Sequence, residues 1–482
     1  MCPHVSRRQF LGCSAASGAL LAIPMASVAL SLQDEKWLNR PPVKIHTVFI
    51  GRTGDIYLSR PTEEIDQFKT YLAGIESKLG DVTFTGGETI PPEDPARVVG
   101  QLGEADAVIM FHLSGHGGGA PAEAMEHIVN SGLPTVVFTQ PFSGHGWMYF
   151  PRWQKEGKKV VLMPTSDWGE LDRAASLLRV PARLRQSRIL VIKGPLGTPA
   201  ACEAAAVKAK LGVELIPITV EETEAAFESV PLPEAEAEAE KYWIRPARDV
   251  VEPTEPEIVA SARFYLALKN LMMANDACAV TSSNCMGGPA KGCLAFSKLN
   301  DQGYVGACEG DMDSTLTMLL FTYAFGVPGF ISDPVIDVAR NALIHFHCTS
   351  ATRMDGAASK RRPFTIRTQT DSGRGVALDV EHRVGQSVTC AKLANLDSML
   401  VSTGKITDVT HDSLGCRTQF VTEVANARGL FENWGEGQLG TDTMTLLHRV
   451  VFYGDHLQSM RDLGALVGFR VIEEGTATGF TA

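Results

Sequence analysis

After residue 40 the chain repeats one pattern: a short, continuous apolar run followed by a stretch with apolar residues at helical spacing. The first run is Val43–Ile50 (VKIHTVFI), and residues 62–78 form the first helical stretch. Runs at 107–111, 135–138 and 159–163 follow, with a helical segment around 123–129. Short apolar runs without polar alternation predict strands buried on both faces, and their alternation with helices predicts a parallel sheet. The pattern restarts at 188–192, passes through a helix at 199–210 and a strand at 213–218, and returns by a long helix at 257–274. From about residue 342 the period changes to alternation, at 342–348, 364–370, 376–380 and 387–393. Alternation predicts an antiparallel sheet with one wet face. The expected fold class is α/β: two parallel-sheet α/β domains, 41–185 and 186–341, followed by a β-rich, barrel-like C-terminal domain, 342–482.

Composition narrows the partners. At 482 residues the chain exceeds one core, and a hydrophobic share of 44% is that of an ordinary globular protein. A net charge of −11 argues against nucleic acid or an anionic membrane as partner. Much of that acidity sits in the segment 221–256, which includes Pro-Glu-Ala-Glu-Ala-Glu-Ala-Glu-Lys and reads as a solvated insertion or helix. The N-terminus reads as a targeting segment. Ser6-Arg7-Arg8-Gln9-Phe10-Leu11 has the form of a twin-arginine signal, and the apolar stretch after it, broken by Pro24, is too short and polar for a membrane span. Small residues at 27–29 offer a cleavage site after Ala29, so residues 1–29 form the expected signal and no stable membrane anchor remains. Export to the periplasm or beyond follows, with a cytoplasmic location if the signal is not used. Ten cysteines are present, and the spacings of Cys278, Cys285, Cys293 and Cys308 fit no zinc finger or ribbon.

The stretch 292–337 carries the most chemistry. Glu309-Gly310-Asp311 precedes an apolar run, 316–325, that Gly326-Val327-Pro328-Gly329 stops, and Asp333 follows a short strand-like segment. This order returns Glu309 and Asp333 to one sheet edge. Two carboxylates converging on an apolar-walled site suit a hard divalent cation or paired acid/base chemistry, whereas a helix cap and a turn residue are the plain alternatives. Two loops at the carboxyl ends of the first domain's strands repeat Ser-Gly-His-Gly, at 114–117 and 143–146. Their His116 and His145 could bind sugar hydroxyls, and neither loop is a phosphate-binding cradle. In Ile344-His345-Phe346-His347-Cys348 both histidines fall on one face of a strand.

The Cys308-Glu309-Gly310-Asp311 turn, the Leu316-Thr317-Met318 helix, the Gly326-Val327-Pro328 stop and Asp333 together resemble the signature of the L-fucose/L-arabinose isomerase family. Their spacing resembles its fucose branch. His347-Cys348 is similar to a His-Cys element of that family, at the point where the arabinose branch supplies a histidine ligand. Residues 446–452 resemble its His-His-Thr-Val-Phe segment with the first histidine lost, and His448 matches the retained metal-binding one. Arg52 follows the first strand, where the family has a substrate-binding arginine.

The resemblance implies an aldose–ketose sugar isomerase working through a cis-enediol, with Glu309, Asp333 and His448 holding Mn²⁺ or another divalent cation such as Mg²⁺. It implies that Glu309 and Asp333 are the acid/base pair, that Arg52 and His347 bind a small-molecule sugar, joined by His116 and His145 of the two glycine loops, and that the protein is a homo-oligomer. Two alternatives stay open. One is an exported, non-catalytic sugar-binding protein. The other is different enediol chemistry on an oxidised or sulfonated sugar.

Overall fold

The computed structural model describes residues 38–54, 59–94, 97, 102–114, 122–285, 287–370, 372–435 and 447–475. The twin-arginine segment and His116 lie outside them. In the first domain β1 (Val43–Ile50), β2 (Val82–Ile90), β3 (Ala107–His112), β4 (Thr135–Thr139) and β5 (Val160–Pro164) form a parallel sheet in the order β2-β1-β3-β4-β5. Helices α1 (Glu63–Leu79), α2 (Glu123–Asn130), α3 (Phe150–Lys155) and α4 (Gly169–Arg185) connect and cover it. Every residue of β3 and β4 is buried, as a doubly covered sheet requires.

The second sheet is also parallel, with β6 (Arg188–Ile192), β7 (Glu214–Ile218), β8 (Ala279–Ser282) and β9 (Val305–Ala307) in the order β7-β6-β8-β9. The helix expected at 199–210 is two, α5 (Pro199–Cys202) and α6 (Ala204–Leu211), parted at Glu203, whose backbone is extended. The acidic segment is helical. Helices α7 (Val220–Ser229) and α8 (Leu232–Glu238) bury Phe227 and Ala235, the turn after them buries Trp243, and the glutamates face outward except Glu238, which pairs with buried Lys298. Helix α9 (Glu255–Ala274) then leads to β8, α10 (Cys293–Asp301) to β9, and α11 (Met312–Phe325) out of the sheet. Helix α11 is buried on every face from Met312 to Phe321, against the sheet and against the third domain, which is why its second half carries no charge and its apolar residues follow no single stripe. Asp311 caps its start by accepting a hydrogen bond from Ser314 N–H at 2.9 Å, and left-handed Gly326 ends it.

The third domain is a closed antiparallel barrel. Strands β10 (Phe330–Asp337), β11 (Ala342–His347), β14 (Ser387–Ala394), β15 (Ser398–Val409), β16 (Thr418–Val424) and β17 (Arg449–Tyr453) run β14-β17-β10-β11-β16-β15, and β15 pairs with β14 to close the ring. Phe330, Val388, Ile406, Phe420, Val451 and Tyr453 fill it. The alternating segments β12 (Phe364–Thr368) and β13 (Val376–Val380) stay outside the ring as a separate two-stranded sheet. Helices α12 (Ala427–Glu432) and α13 (Leu457–Val467) and strand β18 (Arg470–Glu473), parallel to β15, complete it. Ring stacking of Phe321 on Phe452, centroids 3.7 Å apart, and the Leu393 N–H bond to Thr317 Oγ1 at 2.8 Å dock α11 on the barrel. Among the described residues no helix is long and apolar enough to cross a membrane.

Candidate metal centre at the barrel mouth

Strand β9 ends in a turn built from two left-handed residues. Glu309 has φ 60° and Gly310 has φ 71°. Glycine is required at 310 for a second reason, since a Cβ there would lie 2.9 Å from Ser283 Cβ and 3.0 Å from its nitrogen. For Glu309 the same conformation costs on the order of 1–3 kcal/mol, a strain typical of functional sites. The turn projects Glu309 towards the end of the barrel.

Three barrel residues meet it there. Asp333 lies within β10 and not beyond it, because pairing with β11 continues to Asp337. His347 ends β11, and His448 immediately precedes β17. His448 Nε2 stands 3.2 Å from Asp333 Oδ1 and 3.6 Å from Glu309 Oε2. His347 Nε2 stands 3.7 Å from Glu309 Oε1 and 4.0 Å from Asp333 Oδ2. Asp333, His347 and His448 each offer a ligand atom within 4.8 Å of the other two.

Beneath this group lies an ion pair that the sequence reading did not foresee. Asp311 and Lys392, on β14, are fully buried and in contact. Asp311 Oδ2 also accepts a hydrogen bond from His448 Nδ1 at 2.9 Å. That bond orients the imidazole and turns Nε2 towards Glu309 and Asp333, the arrangement of carboxylate-oriented metal-binding histidines. Arg449 holds the backbone from behind, donating to His448 O at 2.7 Å and pairing with buried Glu474. A lysine in the otherwise apolar strand SVTCAKLA was the available signal for Lys392, because a buried ammonium needs a partner. The plain alternative for this turn made Glu309 the helix cap, but the cap is Asp311, which also carries this second role.

Burial works to lower the His448 pKa, but the hydrogen bond with Asp311 and the close Asp333 carboxylate outweigh it and hold it up at about 9. Burial opposes protonation of His347 as well, and Glu309 and Asp333 raise it above the ordinary imidazole value. Contact with His347 lowers Glu309, against its partial burial. Burial raises Asp333, yet His448, His347 and Lys392 bring it below the usual range. The carboxylates draw positive charge onto both imidazoles. Three buried atoms, Asp333 Oδ1, His347 Nδ1 and His448 Nε2, have no hydrogen-bond partner. An octahedral ion with bonds of about 2.1 Å spaces neighbouring ligands by about 3 Å, close to the 3.2 Å between Asp333 Oδ1 and His448 Nε2. Carboxylate and imidazole donors fit a hard divalent cation, with Glu309 and His347 completing the set.

Glu309, Asp333 and His347 open on a cavity of about 350 Å³ bordered by Gln369 and Thr370, large enough for a monosaccharide. A wider, shallower groove on the first domain, between α1 and Trp168, has no comparable convergence of ligands. Among the sequence-expected residues, Glu309, Asp333, His347 and His448 come together. Arg52 sits on the loop after β1, exposed and paired with Glu93 at 3.1 Å, and His145 is exposed before a short turn at Gly146–Tyr149; neither borders the cavity. His345 shares the inward face of β11 but is structural, with its nitrogens 2.9 Å from Ser332 Oγ and 3.0 Å from Thr422 Oγ1.

No family model matches the chain. Over 100 residues it is 35% identical to the sulfoquinovose isomerase of Clostridium sp. (strain MSTE9), a match covering 19% of this chain and 22% of that relative. The chain thus spans about a fifth of the length of the curated relative it matches, and over that stretch it is similar to a sugar isomerase.

Proposed function

We propose that this chain is a divalent-metal-dependent aldose–ketose isomerase, with sulfonated hexoses first among its candidate substrates. The observation that supports it most is the convergence of Glu309, Asp333, His347 and His448, with buried ligand atoms left unpartnered, at one cavity. The similarity to a sulfoquinovose isomerase adds the substrate class. An aldose and its ketose differ by one proton moved between adjacent carbons and one moved between the oxygens those carbons carry. Asp333, His448 and Glu309, with His347, would hold Mn²⁺ or Mg²⁺, which when bound polarises the substrate carbonyl and acidifies the adjacent C–H. Glu309 and Asp333 divide the proton transfers that pass through a cis-enediol, one accepting the carbon-bound proton and the other serving the oxygens. Asp311 keeps His448 Nε2 facing the site, and Lys392 balances Asp311. The export signal and the homo-oligomer expected from the sequence belong to the same proposal.

The test is turnover of sulfoquinovose and of L-fucose by purified protein, followed by NMR with and without Mn²⁺. Glu309→Gln and Asp333→Asn should each lower kcat by about 10³-fold or more, since each removes both a ligand and a proton carrier. Activity indifferent to chelation, or retained in either carboxamide variant, would sink the proposal.

A further inference from the structure

The cavity wall is unusually rich in sulfur. All eight described cysteines are free thiols, and four of them, Cys293, Cys308, Cys348 and Cys416, border the same cavity as Glu309 and His347. Cys285 lies directly behind, its Sγ 3.6 Å from Cys308 Sγ. Cys308 differs from the rest in its neighbours. Its sulfur, a Glu309 oxygen and a His347 nitrogen all lie within 4.8 Å of one another, a second potential ligand set beside Asp333, His347 and His448. His347 belongs to both, has two ring nitrogens to offer, is 4% exposed, and leaves Nδ1 without a partner.

The two sets differ in donor chemistry. Asp333, His347 and His448 supply one oxygen and two nitrogens, suited to a hard ion. Cys308, Glu309 and His347 supply sulfur, oxygen and nitrogen, a mixture that favours zinc-class and softer ions. A tetrahedral ion with bonds of about 2.0–2.3 Å spaces its donors about 3.3–3.8 Å apart, so the set closes on one by small side-chain movements. We propose that Cys308, Glu309 and His347 form a second site for thiophilic divalent cations, and that its occupancy excludes the hard cation because both sites draw on the Glu309 and His347 side chains, which closing on one ion takes from the other. Resting in part on the proposed function, this makes the centre a metal discriminator that zinc-class ions silence by withdrawing Glu309 and His347 from the sugar.

Cadmium is the probe, because its thiolate bonds give an ultraviolet charge-transfer band that manganese lacks. Cd²⁺ added to the Mn²⁺-loaded full chain should raise the band at one equivalent and release Mn²⁺ one for one, read by paramagnetic resonance of the freed ion. Cys308→Ser should weaken Cd²⁺ binding by about 100-fold or more and leave Mn²⁺ binding within about 3-fold, whereas Cys285→Ser should keep the band. X-ray absorption at the cadmium edge of the unaltered chain gives a reading independent of any variant's folding, and should show one sulfur among nitrogen and oxygen neighbours. A band that persists in Cys308→Ser, two or more sulfurs on cadmium, or Mn²⁺ retained beside bound Cd²⁺ would each overturn the assignment. None of these readings requires a turnover assay, so failure to find a sugar substrate would count against the isomerase alone.

Discussion

Asp311→Asn is the sharpest perturbation available, because one atom change severs two contacts. Asp311 Oδ2 takes the Lys392 ammonium and the His448 Nδ1–H, and it also accepts from Ser314 Oγ at 2.7 Å. An amide nitrogen at that position would turn a donor towards two donors; an amide oxygen there would still leave Lys392 without its countercharge. Both members of the pair are 0% exposed, so water cannot compensate. Breaking a buried pair from one side costs about 3–5 kcal/mol. Lys392 retains the field of Asp313, a buried carboxyl held by Thr198, so the lower end of that range is expected. His448 loses the bond that orients its ring, and removing such a supporting carboxylate costs about 10–100-fold in metal affinity. Two assays read the two consequences: denaturant unfolding without metal, and Mn²⁺ titration of the folded protein. Lys392→Met in the Asp311→Asn background should recover most of the stability but little of the affinity, because Lys392 does not touch His448's metal-facing nitrogen. A loss below about 1 kcal/mol with unchanged affinity would refute the buried-network account, as would affinity restored by Lys392→Met.

Two more expectations follow from the same region. Burial pushes His382 down to about 3, between Ser350 Oγ and Tyr453 Oη, each 3.1 Å from a ring nitrogen. Between pH 6.5 and 3 the unfolded chain protonates this histidine and the folded chain does not, so its contribution to stability is present above pH 6.5 and is lost as pH falls. Stability of the unaltered protein should therefore fall more steeply than that of His382→Asn by about 1.4 kcal/mol per pH unit between pH 6 and 4; parallel curves in urea would disprove it. Gly310→Ala should cost about 2 kcal/mol or more in thermal unfolding, combining left-handed strain with the clash against Ser283, whereas Gly326→Ala, with nothing within 4 Å, should cost about 1. Equal losses at the two glycines would show that the close approach at 310 does not matter.

Periodicity carried the architecture well. Buried parallel strands have no polar alternation and barrel strands do, and that difference alone separated the α/β sheets from the barrel. It did not reveal that β12 and β13 leave the ring, because alternation reports one buried face and not which sheet buries it. Helix α11 was legible from its apolar run, but its start lay four residues earlier than that run, at a cap only side-chain geometry exposes. Glu309, Asp333, His347 and His448 were readable because their order and spacing formed a motif. Lys392 was not, since its meaning depends on β14 lying across the start of α11, a contact between residues 81 positions apart. Strand position alone did not distinguish His345 from His347, two residues apart on one face; the resemblance of His347-Cys348 to a His-Cys element did. The hydroxyls of Ser332 and Thr422 separate the ring they hold, His345, from the one that borders the cavity, His347.

The barrel has a temporal consequence during synthesis. Strand β17 is inserted between β10 and β14, which precede it in the chain, so neither has its full complement of partners until residues 449–453 emerge. At about 5–20 residues per second, the roughly 120 residues from Phe330 to Arg449 keep β10 waiting for about 6–24 s. Its buried stretch Phe330–Ser332 is an unpaired apolar edge for that interval, a template for joining another nascent chain. Any ribosome that terminates before residue 448 releases a chain with that edge permanently open and without His448. Truncated products should accordingly be found in aggregates, not as soluble fragments.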